Sequence, residues 1–350
     1  MWKRGLSTLR PSTEMLLRRC STSQSTSAAP TVAEAREEFA LPKGYDFRIW
    51  HPMHMSVQFK KMEGKMRTVD LVVEVHDARI PLTGRNPMFF EQLYAVRPHV
   101  LVMNKMDLID MKRYKEPIEA YYQERGIQKI LWTDCKRRLS RALADLRDSM
   151  LLALRNEPRF NRTVKTEYQV MIVGIPNVGK SSLLNSLRGA NLGHKHAAVQ
   201  EGARPGVTIR VQNRVRILDR PITYVLDTPG VLPPYQHNAE DAMKLAICDL
   251  VLESATNPLY VADYLLFWLN RTRDFSYVDL CKIEGGPCDN INKVLLRICQ
   301  AENLRANRMI GRDIEERWDF DEATKRFIQL FRTHKLKDHC LDKELLLPYM

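Results

Sequence analysis

The sequence predicts an α/β fold, a doubly wound and mostly parallel sheet that is followed by a small all-helical C-terminal domain. Short apolar or β-branched runs alternate with helical patterns between residues 71 and 226, as they do in a parallel sheet with crossover helices. A glycine-rich motif follows one of these runs and opens a helix. Beyond Val231 the strand patterns stop and helical periodicity continues to the end of the chain.

Four runs are predicted as buried strands because each is apolar and is followed at once by polar residues. They are Leu71–Val75, His99–Met103, Tyr168–Val173 and Thr223–Leu226. Apolar residues at helical spacing predict the intervening helices Arg113–Arg125, Arg138–Leu154 and Ser181–Leu187. The same periodicity predicts the C-terminal helices Asp241–Ser254, Pro258–Arg271, Asn290–Ala301 and Asp321–His334.

The composition is that of a globular protein with room for two domains, since 350 residues are 44% hydrophobic and 27% charged. No apolar stretch approaches the roughly 18 to 20 residues that a membrane-spanning helix needs, so no transmembrane segment is predicted. The seven cysteines contain no C-x-x-C pair. Neither a zinc site nor a disulfide framework is indicated, which favours a reducing compartment.

Residues 1–30 are typical of a mitochondrial transit peptide, because they are basic, rich in serine and threonine, and contain one acid, Glu14. An untargeted tail is the alternative. The predicted organisation is a transit peptide or disordered segment at 1–30, a lead-in segment at 31–58, a nucleotide-binding domain at 59–235 and the helical domain at 236–350.

The positive net charge lies entirely in residues 1–230, and residues 231–350 are net acidic. One basic cluster spans residues 136–165 and a second spans residues 204–220. Basic clusters bind polyanions by releasing counterions, so RNA is a reasonable partner whose binding would be sensitive to salt. A solvated basic face is the alternative.

The motif G-I-P-N-V-G-K-S at residues 174–181 lies between a predicted strand and a predicted helix, which is the context of a phosphate-binding loop. Lys180 is expected to reach the β and γ phosphates, and the Ser181 hydroxyl is expected to bind Mg²⁺. Further nucleotide contacts in and beside the loop are predicted for Asn177, Val178, Gly179 and Ser182.

The motif D-T-P-G at residues 227–230 ends a later strand. Asp227 is a candidate for the magnesium shell, and the Gly230 amide could approach a γ-phosphate where a side chain would not fit. Between the two motifs, Thr208 in P-G-V-T offers a third oxygen for Mg²⁺.

The motif N-K-M-D at residues 104–107 selects the nucleotide base. A carboxylate such as Asp107 can accept from N1 and N2 of guanine, a pattern that adenine lacks, and Asn104 can reinforce the base edge beside Lys105. GTP is therefore favoured over ATP. The loop T-D-C-K could close over the same base with its backbone amides, and its candidate residues are Thr133, Asp134 and Cys135.

Base recognition precedes phosphate recognition along the chain, which reverses the usual order, so the domain resembles a circularly permuted P-loop GTPase. A P-loop kinase would explain neither N-K-M-D nor this order. W-H-P-M-H-M at residues 50–55, V-H-D-A-R at 75–79 and the motifs above resemble the ribosome-assembly GTPases of the YlqF/RbgA type over residues 45–270.

The resemblance implies a GTP hydrolase that binds the large ribosomal subunit and its rRNA late in assembly, with hydrolysis accompanying release. Combined with the transit-like N terminus, it implies the mitochondrial large subunit and a place in the matrix, with peripheral contact to the inner membrane left open. Two alternatives stay open: a GTP-dependent checkpoint on rRNA for which hydrolysis is incidental, and a cytoplasmic or nucleolar assembly GTPase.

Hydrolysis needs a group that orients water, and many GTPases place glutamine directly after D-x-x-G. Here that residue is the apolar Val231, so slow intrinsic hydrolysis is predicted. The resemblance assigns His54 as the candidate that swings in to do this work, although His51 and Met53 depart from the family motif. It also suggests K⁺ near Asn177 as an added positive charge on the phosphates. His76, Asp77 and Arg79 are expected to brace the site without chemistry of their own.

Overall fold

The structure is a computed structural model of the chain. It describes residues 36–42, 44–46, 50–51, 53–94, 97–137, 139–156, 166–193, 197–199, 214–233, 238–310 and 313–350. Residues 1–30, the P-G-V-T motif and the side chain of His54 therefore lie outside the described part, and the expectations placed on them are not addressed by it. In the part of the chain that is described, no helix is long and apolar enough to cross a membrane.

A six-stranded sheet forms the centre of the molecule. Its strands in chain order are β1 (Leu71–Asp77), β2 (His99–Asn104), β3 (Ile130–Trp132), β4 (Tyr168–Val173), β5 (Arg214–Asp219) and β6 (Ile222–Asp227). They lie in the order β3-β2-β1-β4-β6-β5, and every neighbouring pair is parallel except β5 with β6. The four predicted strands are confirmed, and β1 is buried along its whole length, as expected of a central parallel strand.

Helices cover the sheet. They are α1 (Met53–Lys65), the short α2 (Pro87–Phe89), α3 (Met111–Gln123), α4 (Ser140–Asn156) and α5 (Lys180–Leu192). Local signals explain some of the boundaries: the Asp110 carboxylate accepts from the Lys112 amide at the start of α3, and Gly193 ends α5 in a left-handed conformation. The predicted helices in this region are confirmed, and α5 continues past the predicted end at Leu187 to Leu192.

Strand β5 was not predicted. It is the antiparallel edge strand, and its side chains are mostly exposed or half-buried. Its arginines, at positions 214 and 216, alternate with apolar residues and belong to the basic cluster at residues 204–220. Only Ile217 and Leu218 of this strand are buried, so its hydrophobic signal is weak.

The C-terminal part is mainly helical, as predicted, although the helix expected over Asp241–Ser254 ends at Ile247. Its helices are α6 (Ala239–Ile247), α7 (Pro258–Arg271), α8 (Ser276–Leu280), α9 (Ile291–Glu302) and α10 (Phe320–Arg332). The expectation that strands stop after Val231 is wrong in one place, because β7 (Arg305–Ile310) and β8 (Asp313–Trp318) form an antiparallel hairpin. This hairpin is rich in charged residues and lacks an apolar face of period two, so nothing local marks it as a pair of strands.

The sheet and the C-terminal helices share one apolar core. Phe39, in the lead-in segment, packs its ring edge-on against Tyr264 of α7, and the same buried cluster includes Val173 in β4 and Phe331 in α10. The boundary predicted between residues 235 and 236 remains a prediction, but the two parts are in extensive contact. A movement of the nucleotide loops would therefore be transmitted to the helices through packed side chains.

The last residues of the chain return to the sheet. Cys340 and Leu346 are buried in a second apolar cluster with Tyr114 and Tyr122 of α3. Asp342 accepts hydrogen bonds from the Leu82 and Thr83 amides, from the Thr83 hydroxyl and from Lys244 of α6. The C-terminal segment thus holds the loop that follows β1 and helix α6 together.

Candidate nucleotide-binding site

The phosphate loop connects β4 to α5, and two of its glycines have conformations that favour glycine. Gly174 has φ +150°, and a Cβ there would lie 2.4 Å from the carbonyl oxygen of Val75. Gly179 has φ +100°, and its Cβ would lie 2.2 Å from the side-chain nitrogen of Asn104. A side chain at either position would push the loop away from the neighbouring strand ends.

Lys180 is the first residue of α5 and is almost completely buried. Its ammonium group donates to the carbonyl oxygen of Ile175 within the same loop, at 2.8 Å. Burial lowers the pKa of Lys180 to about 8; the negative charge of Asp227 opposes this shift and the positive charge of Lys105 adds to it. A buried cation with few compensating charges is well prepared to bind an anion such as phosphate.

Ser181 and Asp227 meet beside this lysine. The Ser181 hydroxyl donates to Asp227 Oδ2 at 2.9 Å. Asp227, at the end of β6, is fully buried, and its other oxygen, Oδ1, has no hydrogen-bond partner among the described residues. Burial raises the pKa of Asp227 although Lys180 opposes the shift. An orphaned carboxylate oxygen next to a hydroxyl fits Mg²⁺, which prefers oxygen ligands.

Gly230 brings the D-T-P-G loop into contact with the phosphate loop. A Cβ at Gly230 would lie 2.4 Å from the Pro176 backbone, so only glycine fits. The following amide, of Val231, donates to the Gly174 carbonyl at 3.3 Å, and the Val231 side chain is fully buried. The side-chain amide of Asn86 donates to the Val231 carbonyl at 3.0 Å. This part of the loop is therefore held from both sides.

The lead-in segment also contacts this loop. The Nδ1 atom of His51 lies 2.9 Å from the Leu232 carbonyl oxygen, and its Nε2 lies 2.8 Å from the Ser56 hydroxyl. Because a carbonyl only accepts, Nδ1 carries the proton in this arrangement. His51 and Asn86 were not predicted as contacts of the loop, since nothing in the sequence shows which segments lie beside residues 231 and 232. His54 lies in α1.

The base-recognition motif begins at the end of β2. The Asn104 side chain donates to the Val178 carbonyl at 2.7 Å, and its oxygen accepts from the Thr133 hydroxyl at 3.1 Å and from the Cys135 amide at 3.3 Å. Asn104 therefore joins the phosphate loop and the T-D-C-K loop, as the predicted shared site requires. Asp134 is used locally, accepting from the amides at positions 136 and 137.

Lys105 and Asp107 follow the end of β2, and their side chains have different surroundings. Lys105 has φ +61°, and its ammonium donates to Asp77 Oδ2 at 2.7 Å. The Asp107 carboxylate is exposed at the surface of the loop, where a ligand could reach it. Ser182 lies in the first turn of α5 behind Ser181. The predicted phosphate and base motifs thus meet at one edge of the sheet, at the carboxyl ends of β1, β2, β4 and β6.

Asn177 of the phosphate loop contacts the C-terminal part. It has φ +56°, and its side-chain amide donates to the Asp249 carbonyl at 2.9 Å, just after α6. The expected K⁺ near Asn177 stays a prediction. Arg79 also reaches this segment, since its guanidinium donates to the Cys248 carbonyl at 2.9 Å while it holds Asp77. The nucleotide loops are therefore connected directly to the end of α6.

The mostly parallel sheet, the phosphate loop at its edge and the adjoining guanine-type motif define a P-loop GTPase, and the order of its motifs makes it a circularly permuted one. A family model described as "50S ribosome-binding GTPase" matches residues 169–284.

The chain is 40% identical to "Mitochondrial ribosome-associated GTPase 1" of Ictalurus punctatus over 298 residues, which cover 84% of this chain and 92% of that protein. It is 38% identical to the protein of the same name from Mus musculus over 317 residues, covering 89% and 94% of the two chains. This chain belongs to the family of mitochondrial ribosome-associated GTPase 1. Among solved structures, GNP-bound YlqF from T. maritima matches with a TM-score of 0.45 and 20% identity, covering 79% of this chain and 94% of that one.

Proposed function

We propose that this GTPase binds the mitochondrial large ribosomal subunit, promotes a late step of its assembly, and is released when the subunit stimulates GTP hydrolysis. The observation that carries the nucleotide part is the contact of Asn104 with both the phosphate loop and the T-D-C-K loop. The ribosomal part is supported by the relatives, which are named as ribosome-associated. The basic excess of residues 1–230 supports an RNA partner.

Guanine would bind between N-K-M-D and T-D-C-K. Asp107 would accept from N1 and N2 of the base, Asn104 would fix the two loops around it, and Lys105 would lie along the base. Amides of the T-D-C-K loop would close the pocket, with contributions from Thr133, Asp134 and Cys135.

The phosphates would bind at the start of α5, where free amides and the helix dipole favour negative charge. The amides of Val178, Gly179 and Ser182 would line the loop, and Lys180 would leave the Ile175 carbonyl to reach the β and γ phosphates. Mg²⁺, which GTPases of this fold use to neutralise phosphate charge, would be held by Ser181 and Asp227, with Thr208 added from the undescribed loop. The amide of Gly230 would approach the γ-phosphate.

Intrinsic hydrolysis would be slow, because the buried, apolar Val231 cannot orient water. His54 is the candidate to supply this function when the ribosomal subunit is bound, since it lies in the helix that follows His51. K⁺ near Asn177 would add positive charge at the phosphates. Together these features make turnover dependent on the partner.

The rRNA surface would include exposed basic residues beyond the T-D-C-K loop, namely Lys136 and Arg141, together with Arg137, which also lies 3.5 Å from Asp134. The second basic cluster contributes less in its described part, because Arg214 pairs with Glu167 and Arg216 pairs with Asp219. The protein would act in the mitochondrial matrix, where it could also contact the inner membrane peripherally. The relatives named as mitochondrial support the organelle.

The decisive experiment measures GTP turnover by the purified chain with and without mitochondrial large subunits, in K⁺ and in Na⁺, with ATP as the nucleotide control. Lys180→Ala serves as the variant without phosphate binding. We expect stimulation by the subunit that is selective for GTP and stronger in K⁺. Turnover that the subunit does not change, together with no binding to it, would overturn the ribosomal proposal.

A second function is favoured by the burial of Val231: a GTP-dependent checkpoint on rRNA in which hydrolysis is incidental. His54→Ala separates the two proposals. If that variant binds GTP and the subunit and still supports normal maturation at its reduced turnover, the checkpoint replaces the hydrolysis-driven release. If maturation stalls with the variant bound to the subunit, the first proposal stands.

A further inference from the structure

Two ion pairs, Lys105–Asp77 and Asp77–Arg79, and a hydrogen bond from Arg79 to the Cys248 carbonyl connect the base-recognition loop to the end of α6. We propose that Asp77, held by Arg79, is a positioning residue for guanine recognition that acts through Lys105. This inference rests on the nucleotide site of the proposed function and adds a role for the D-A-R sequence at the end of β1. Neither Asp77 nor Arg79 is expected to touch the nucleotide.

Asp77 is brought to Lys105 by the sheet itself. The last residue of β1, Asp77, lies directly opposite Asn104 in the parallel register of β1 and β2, and the Ala78 amide continues the pairing by donating to the Asn104 carbonyl. Lys105 therefore leaves β2 beside the Asp77 side chain, and its left-handed backbone turns it across the end of the sheet. The 2.7 Å ion pair between them is a consequence of strand order and register.

The carboxylate of Asp77 cannot turn away from Lys105. Its Oδ1 accepts from the Arg79 amide at 3.0 Å and from Arg79 Nε at 2.9 Å, and its Oδ2 accepts from Arg79 Nη2 at 2.7 Å as well as from Lys105. Burial opposes its ionisation, but the charges of Arg79 and Lys105 outweigh this effect and hold the pKa of Asp77 well below its usual range. A fixed anion therefore faces the ammonium of Lys105.

Arg79 is itself fixed by the C-terminal part. Its guanidinium is buried, donates to the Cys248 carbonyl at the end of α6, and lies 5.8 Å from the centre of the Phe331 ring. The carbonyls at the end of a helix lack partners within the helix and attract cations. The orientation of Asp77, and through it that of Lys105, thus depends on how α6 is seated.

Positioning of this kind favours binding because a free lysine loses side-chain entropy when it is fixed. Lys105 is already fixed before the nucleotide arrives, so this loss does not reduce the affinity. If these residues served only to hold β1 to α6, apolar side chains could do the same, because they often stabilise a fold as much as a buried ion pair does. Only the charged version also holds the Lys105 side chain of the base motif, which is partly exposed.

The test is a double-mutant cycle on equilibrium binding of a fluorescent GDP analogue to the full chain. Asp77→Asn and Lys105→Met are each expected to weaken binding by about tenfold to a hundredfold, the range for losing a hydrogen bond to a charged group. If Asp77 acts through Lys105, the double variant binds like Lys105→Met. Losses that multiply would mean independent effects and would overturn the inference.

Steady-state kinetics give a second readout that a purely structural role would not move in the same way. In Asp77→Asn, the KM for GTP is expected to rise by the same factor as the GDP dissociation constant, because the base is common to both, while kcat stays within about twofold of the wild-type value. A fall in kcat at unchanged KM would contradict a role in base positioning.

Asp289→Asn is the matched control, because it also removes a buried carboxylate that is held by an arginine, yet its partners are Arg36 and Asn270 rather than Lys105 or α6. It should leave GDP affinity unchanged, and thermal melts of each variant verify folding. If Asp77→Asn does not fold, Arg79→Lys is tested in its place. We expect this variant to lose GDP affinity severalfold. Wild-type affinity would overturn the inference. A wild-type chain that binds no guanine nucleotide would instead overturn the proposed function.

Discussion

The side-chain amide of Asn104 donates to the backbone carbonyl of Val178 at 2.7 Å, across 74 residues of sequence. The other end of the same side chain accepts from the T-D-C-K loop. One asparagine therefore sets the distance between the base-recognition motif and the phosphate loop. The two segments follow β2 and β4, which are parallel strands separated by β1, so the Asn104 side chain reaches across the end of β1 to make this contact.

Asp107→Asn should change the preference of the protein from guanine nucleotides to xanthine nucleotides. An amide in place of the carboxylate can donate to the carbonyl at C2 of xanthine but cannot accept from both N1 and N2 of guanine. We expect GDP affinity to fall by about a hundredfold and XDP affinity to rise above it, as losing hydrogen bonds to a charged group predicts. Competition binding measures both. Asp110→Asn, three residues along and at the cap of α3, is the control; unchanged preference in Asp107→Asn would contradict the assignment.

Nucleotide binding should weaken as the pH rises through about 8. Lys180 has its pKa lowered to about 8 in the free protein, mainly by burial, and phosphate binding favours its charged form. Below this pH the lysine is charged before binding; above it, binding requires proton uptake, and affinity should fall by up to about tenfold per pH unit. Titration of GDP between pH 6.5 and 9.5 checks this, and a constant affinity over that range would show that Lys180 does not pair with the phosphates.

Gly230→Ala should impair the binding and hydrolysis of GTP but not the binding of GDP. The new Cβ would lie 2.4 Å from the Pro176 backbone, which cannot yield as a flexible side chain would. The D-T-P-G loop must then move away from the phosphate loop, so we expect a loss of about tenfold or more in hydrolysis and in preference for GTP, with GDP binding retained. Gly64→Ala makes the same chemical change in open space within α1 and should have no effect on either. Normal turnover by Gly230→Ala would contradict a γ-phosphate role for this loop.

Asp342→Asn should lower the free energy of unfolding by about 2 to 3 kcal/mol, because a buried carboxylate that accepts from two amides, a hydroxyl and Lys244 loses its charge. Urea denaturation followed by circular dichroism measures the change. The exposed Asp279→Asn in α8 is the control and should stay within about 0.5 kcal/mol of wild type. Equal midpoints for the two variants would show that the C-terminal segment does not hold α6 to the sheet.

Much of the fold could be predicted because its signals are local. Strands β1, β2, β4 and β6 are apolar runs that end in polar loops, and the glycine-containing phosphate loop marks the connection between β4 and α5. The β7–β8 hairpin and the edge strand β5 could not be predicted in this way. The β7–β8 hairpin is rich in charged residues and has no apolar face of period two. In β5 the alternation of arginines with apolar residues is short, and the strand also depends on pairing with β6.

The sequence by itself determined the class of chemistry: a phosphate loop, a guanine motif, their permuted order and an apolar residue after D-T-P-G are all written in short, contiguous segments. The tertiary structure alone decided which distant residues support them. His51 beside Leu232, Lys105 on Asp77, Asn177 on the Asp249 carbonyl and Asp342 on Thr83 join segments that are 28 to 259 residues apart. Such contacts depend on strand order, register and the packing of helices around a shared core, and none of these is encoded in a local pattern of residues.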